Sequence, residues 1–288
     1  MIDNTRGILA MSASVVVFIF NDALIKLASE TMPAVQAIGL RGILATAWCV
    51  LAIAVRGEWR QVHRMAHPAV ALRGFLEAAA AVTYMVALAW IPFAIATAVN
   101  MSTPLFLAVL AVLMLGETVG WRRWTAIAVG FVGVLLVIQP EPGDINGWIW
   151  LVVLSSLIGA LRDVAARWVP PFVPSLVVTL SSAVTVGAAG CIWSSVVGWQ
   201  AMPWRGIAYI AVSSLLLALG YQFLIVALRS RAEYSVMGAF RYGSVLWAIG
   251  IGYVLWGDVP NALAFLGIAV VVGSGLYILH RERVRRRG

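Results

Sequence analysis

Residues 235–256 read SVMGAFRYGSVLWAIGIGYVLW, an apolar run with Arg241 about six residues inside it. About 20 apolar residues in helical form span the hydrocarbon core of a bilayer. A charge at the centre of such a helix costs roughly 2.5 to 3.5 kcal/mol on insertion scales, so Arg241 is expected to face protein or water, not lipid. The rest of the chain has to supply what it faces.

The composition places the chain in a membrane. Of 288 residues, 62% are hydrophobic and 11% charged, where soluble domains carry about 25% charged residues. The net charge of +8 does not point to nucleic acid, because the last nine residues, HRERVRRRG, hold five arginines against one glutamate. Basic residues flanking apolar spans are the usual mark of a cytoplasmic membrane flank. Cys49 and Cys191 each stand alone in an apolar run, which suggests neither a disulfide framework nor a metal site. The first apolar run is too long for a signal-peptide core, carries Asn21 and Asp22, and is read as the first span.

Apolar runs fall near 7–27, 34–55, 69–90, 94–115, 121–138, 147–167, 174–196, 205–227, 235–256 and 262–280. The expected fold is therefore all-α and integral to the membrane, with ten transmembrane helices. Arg56, Arg60, Arg64, Arg122, Arg123, Arg229, Arg231 and the basic tail mark one side, and the alternate loops are poor in positive charge. The positive-inside rule then puts both termini in the cytoplasm, in a bacterial-type inner membrane.

An offset of 141 residues aligns the two halves: Asp22 meets Asp163, Lys26 meets Arg167, Pro33 meets Pro174, Gly116 meets Gly257 and Glu117 meets Asp258. Each half holds five helices, an odd number, so the second enters the membrane from the opposite side. This is the inverted-repeat plan of many secondary transporters. The expected divisions are a first repeat over 1–140, an inverted second repeat over 141–280 and a basic tail over 281–288.

The run TPLFLAVLAVLMLGE, Thr103–Glu117, resembles the fourth-helix motif of the drug/metabolite transporter superfamily in its EamA-type branch, where a proline lies about a dozen residues before a Gly-Glu at the helix end. Within that branch the chain looks most like the YddG-type exporters of aromatic amino acids. The resemblance implies ten helices in two repeats, a cavity between them, and export of small metabolites by alternating access. The second half departs from the motif, with Val245 at the position of Pro104 and Asp258 in place of the glutamate.

Polar residues inside the spans are the candidate site. Arg241 shares a helical face with Met237, Gly238, Ser244 and Ala248, and its mate at the 141 offset is Asn100, which shares one with Thr97, Thr103 and Pro104. Both faces are expected to line the cavity, where Arg241 either pairs with a substrate carboxylate or forms a fixed ion pair with an acid of another helix. Glu77 and Asp163 are the acids at its depth. Asp22, Arg41 and Asn100 match in depth toward the other side, so the polar residues are read as two clusters, one per gate, with Pro104 as a bending point. Glu77, Ala80, Ala81 and Tyr84 form one face of helix 3, and Tyr221, Gln222 and Trp247 are further cavity candidates. Gly130, Gly133, Gly267, Gly273 and Gly275 on helices 5 and 10 favour close helix contact, within the fold or in a homodimer.

Other chemistries find little support. His63 and His67 have metal-pair spacing but no third ligand, no Walker loop is present, and the charges are scattered over both halves. No catalytic residue and no cofactor is expected. The sequence reading is a secondary transporter that exports amino acids, aromatic or large neutral ones, with another small metabolite or drug, or an integral membrane enzyme, as the alternatives.

Overall fold

The computed structural model describes residues 2–115, 121–139, 147–166, 168–229 and 243–287, with the side chains of 2–8, 108, 111, 115, 122, 123, 138, 222, 224–229, 279 and 281–287 outside the description. The described residues are helical and contain no strand. In chain order the helices are α1 (Ile2–Ser29), α2 (Ala34–Arg56), α3 (Pro68–Leu88), α4 (Phe93–Asn100), α5 (Thr103–Leu115) and α6 (Trp121–Ile138). Then follow α7 (Gly147–Ala166), α8 (Ser175–Val197), α9 (Trp204–Arg229), α10 (Gly243–Trp256) and α11 (Ala262–Arg287), and a short 3-10 segment, Trp59–Ala66, links α2 to α3.

Prolines set several of the starts. Pro33, Pro92 and Pro174 immediately precede α2, α4 and α8, and Pro68 opens α3, where a missing N–H costs nothing. His67 caps α3 through its ring nitrogen, which accepts from the Ala69 N–H at 3.3 Å. Gly57 ends α2 in the left-handed region, at φ 69°, where a Cβ would be strained.

Seven helical stretches among the described residues are long and apolar enough to cross a membrane, and Trp124–Val137, Gly243–Trp256 and Ala262–Ile278 are shorter apolar helices. The protein is a multi-pass membrane protein. Leu113, Ile192, Val196, Leu246 and Val254 stand exposed on the outside of the bundle, as a lipid-facing surface requires. The apolar core gathers around Ile25, Ile38, Leu88, Phe93 and Val99.

The helices pair as α1 on α9, α2 on α8, α3 on α7 and α6 on α11. Without a hydrophobic force to join helices in lipid, small residues govern such contacts. A Cβ on Gly42 would stand 2.2 Å from the Gly187 Cα, and one on Gly190 would stand 2.4 Å from the Gly39 nitrogen, so α2 and α8 cross backbone to backbone. The glycines of α6 and α11 are used the same way: a Cβ on Gly133 would reach the Gly267 oxygen at 3.0 Å. Gly130, Gly133 and Gly267 thus serve contact inside one chain, while a Cβ on Gly273 would meet nothing within 4 Å.

The stretch read as one span over 94–115 is one candidate span, Phe93–Met114, built of two helices. Pro104 lacks an N–H and its ring crowds the carbonyl four residues back, that of Asn100. Helix α4 ends at that residue and α5 begins at Thr103. The freed Asn100 carbonyl is not left bare, because the Thr103 hydroxyl donates to it at 2.8 Å. The Gly116–Glu117 end of the motif lies outside the described residues.

Candidate functional site

The α4–α5 break is held from two sides. The Ser156 hydroxyl of α7 donates to the Asn100 amide oxygen at 3.2 Å. The Ser244 hydroxyl of α10 points to the Met101 sulfur at 3.5 Å. Thr103 faces Gly159, whose Cβ position would sit 3.7 Å from the threonine methyl. Ser102 and Thr97 keep buried hydroxyl oxygens with no hydrogen-bond partner. Interrupted helices at membrane depth occur where the loosened backbone is buried in protein or lines a cavity.

A compact charge cluster lies between α3, α7 and α8. Arg162 contacts the Glu77 carboxylate at 3.0 Å and the Asp163 carboxylate at 2.8 Å. Arg73, one turn before Glu77, contacts its other oxygen at 3.5 Å and donates to the Ser182 hydroxyl at 2.7 Å. The side chains in these ion pairs are between 13% and 28% exposed. Both acids considered as partners for Arg241 thus meet Arg162. Arg241 itself lies outside the described residues, as does the side chain of Gln222.

Asp22, Arg41 and Tyr84 form a second group, on α1, α2 and α3. The Asn21 amide donates to Asp22 at 2.9 Å. Tyr84 is buried, with the charge of Asp22 and the hydroxyl of Thr97 as neighbours. Arg41 is 5% exposed, with the carboxylates of Asp22 and Glu77 and the Tyr221 phenol in its neighbourhood. Tyr221 of α9 stacks edge-on against Phe18 at 5.3 Å between ring centroids. Ion pairs within 4.0 Å among the described residues are Arg73–Glu77, Arg162–Glu77 and Arg162–Asp163, so Asp22 and Arg41 do not touch. Asn100 bonds to Thr103 and Ser156 instead of joining them. Trp247 is 49% exposed and off the buried stripe of α10 formed by Ser244, Ala248 and Ile251.

Each end of the bundle is closed by a cation. Lys26, at the end of α1, is buried and donates to the carbonyls of Leu88, at 3.0 Å, and Ile91. Its ammonium lies 5.1 Å from the Trp256 ring centroid, and that indole donates to Glu30. Nearby, Trp90 and Trp148 stack at 5.3 Å, and a crevice of about 330 Å³ opens among Pro92, Ile95, Gln139, Asp258 and Asn261. At the other end Arg64 donates to the Phe172 carbonyl and lies 5.0 Å over its ring, with His67 edge-on to the same ring. His63 and His67 thus serve the segment between α2 and α3, and no group of three metal-ligating side chains occurs among the described residues.

Arg162 and Arg73 are the site residues that sequence reasoning passed over. Arg73 was legible, since Glu77 follows it by one helical turn. Arg162 was hidden by standing beside Asp163, about 100° away around the helix.

Residues 5–139 match the model of the EamA-like transporter family. The chain is 28% identical over 269 residues to the pseudopaline exporter CntI of Pseudomonas aeruginosa (strain UCBPP-PA14), covering 92% of each chain. It is 25% identical over 219 residues to an S-adenosylmethionine uptake transporter of Rickettsia bellii (74% of this chain, 72% of that protein). A riboflavin transporter of Rhizobium johnstonii is 26% identical over 234 residues, 80% of this chain and 72% of its own. A solved crystal structure shares the fold at a TM-score of 0.68 and 16% identity, over 96% of this chain and 97% of its own.

Proposed function

We propose that the chain, whose residues 5–139 match the model of the EamA-like transporter family, is a transporter of that family, a secondary transporter exporting amino acids, aromatic or large neutral ones, across the inner membrane by alternating access. The observation that carries this reading is a broken helix, α4–α5, in an apolar bundle that also holds a buried Arg41 and half-buried Asp22, Glu77, Arg162 and Asp163. Charges are costly there and serve a path for polar cargo.

The proposed plan is ten spans in two inverted five-helix repeats. It takes the three shorter apolar helices as spans alongside the seven long ones. The helix pairing supports it: under the 141 offset, the α1–α9 contact exchanges with α3–α7, while α2–α8 and α6–α11 map onto themselves. With both termini in the cytoplasm, the Lys26 end faces outward and the Arg64 end inward. Phe18, Tyr84 and Tyr221, close to the buried charges, offer rings for an aromatic or large neutral side chain.

The relatives are named for export, for uptake and for transport, so direction is part of the test. Purified protein in liposomes, loaded with unlabelled phenylalanine, is expected to accumulate labelled phenylalanine by counterflow. Repeating this with and without a pH gradient reads out proton coupling. Absence of flux for every amino acid tried sinks the substrate reading, and turnover of a lipid favours an enzyme.

A further inference from the structure

The buried charges sort into those that are satisfied and those that are not. Arg73, Arg162, Glu77 and Asp163 occupy one another in three ion pairs. Lys26 is taken up by the Leu88 and Ile91 carbonyls. Among the described residues inside the bundle that leaves Arg41 and Asp22, on facing helices. Arg41 is 5% exposed, yet it donates no hydrogen bond and joins no ion pair among the described residues. Guanidinium groups carry five donors and are seldom buried without an acceptor. Nor is this one sealed in protein. Among the described residues the buried side-chain atoms without a partner are Asn21 Oδ1, Glu58 Oε2, Gln61 Oε1, Thr97 Oγ1 and Ser102 Oγ, and no Arg41 nitrogen is among them, so its unbonded nitrogens are not fully enclosed. Among the described residues Asp22 accepts only from the Asn21 amide, at 2.9 Å, and its charge and that of Arg41 act on each other across a gap wider than an ion pair.

We propose that Arg41 and Asp22 are a split receptor for a zwitterionic α-amino acid, Arg41 taking the carboxylate and Asp22 the ammonium. The assignment rests on the amino-acid reading above and deepens it, moving the carboxylate partner from Arg241 to Arg41. The planar fork of an arginine fits a carboxylate bidentately. A fixed Arg41–Asp22 gate pair would close the gap, whereas one cation and one anion held apart and otherwise unpaired complement a ligand that carries both signs. A plain carboxylate leaves Asp22 unanswered, and a plain amine leaves Arg41 so. Tyr84 beside Asp22, and Tyr221 near Arg41 with Phe18 edge-on to it, offer aromatic surface for the side chain of such a ligand.

The test uses the full chain in liposomes and labelled L-phenylalanine counterflow. Against the wild-type protein, unlabelled phenylalanine competes, while 3-phenylpropionate and phenethylamine, each lacking one charge, compete roughly 10- to 100-fold more weakly, the range expected for losing a charged hydrogen-bonded contact. Arg41→Gln loses counterflow by a similar factor, and Arg41→Lys recovers part of it. Asp22→Asn narrows the difference between phenylalanine and 3-phenylpropionate. The analogue comparison needs no variant, so a misfolded Arg41→Gln leaves the test intact. Phenylalanine flux with equal competition by all three compounds, or unchanged in a folded Arg41→Gln, overturns the receptor and leaves the transport reading standing. No amino-acid flux at all overturns both.

Discussion

Arg162 is the hinge of the buried charge cluster, and replacing it with methionine makes the sharpest stability prediction. The substitution keeps an apolar stem of similar length and removes the guanidinium that contacts Glu77 at 3.0 Å and Asp163 at 2.8 Å. Stranding a charge by deleting its partner costs about 3 to 5 kcal/mol when the pair is fully buried and about 0 to 1 when it is exposed. Here the side chains are 13% to 28% exposed, and Arg73 remains to Glu77 at 3.5 Å, so about 2 to 3 kcal/mol is expected. At roughly 2 to 4 °C per kcal/mol, Tm falls by about 5 to 10 °C. The second half of the prediction has the opposite sign. Adding Glu77→Gln removes one stranded carboxylate, and its amide can still accept from Arg73, so the double variant is more stable than Arg162→Met alone. Thermal unfolding of the purified protein in detergent, followed by circular dichroism, reads both. An unchanged Tm for Arg162→Met, or a double variant that loses the sum of the two single losses, refutes the reasoning.

Three further outcomes follow from the packing. Gly42→Ala places a Cβ 2.2 Å from the Gly187 Cα and lowers Tm by several degrees, whereas Gly250→Ala, with nothing within 4 Å, is neutral or raises it by the helix propensity of alanine, both read by thermal unfolding. Lys26→Met removes the donor to the Leu88 and Ile91 carbonyls and costs about 1 to 3 kcal/mol, with faster hydrogen exchange in the α3–α4 turn by mass spectrometry. Thr103→Val removes the hydroxyl that caps the Asn100 carbonyl and costs about 1 kcal/mol, seen as a small drop in Tm.

What the sequence made legible depended on range. Apolar runs, the prolines at helix starts and the crowding of Asn100 by Pro104 are local, and these follow from residue type and spacing. So does the use of small residues where helices cross, although which glycine meets which needed coordinates: Gly42 against Gly187 is a contact between residues far apart in the chain. A partner of the intramembrane acids was passed over for the same reason. Glu77 and Asp163 were weighed by depth as partners of Arg241, which lies outside the described residues, and the long guanidinium beside Asp163 folds back to bridge them both. Lys26, known from the sequence only as the mate of Arg167 in the repeat, is buried because the α3–α4 turn presents two carbonyls to it, a feature of distant backbone that no local pattern encodes.

Under the proposed alternating access, the α4–α5 break opens to each face of the membrane in turn. Ser244, buried against Met101 of that break, is a conservative place for a probe. In a protein with Cys49 and Cys191 replaced by alanine, Ser244→Cys is exposed to a membrane-impermeant maleimide in right-side-out and in inside-out vesicles. Labelling from both faces, slowed from both by saturating phenylalanine, is the predicted result. Labelling from one face only, at a rate that phenylalanine does not alter, would contradict the account.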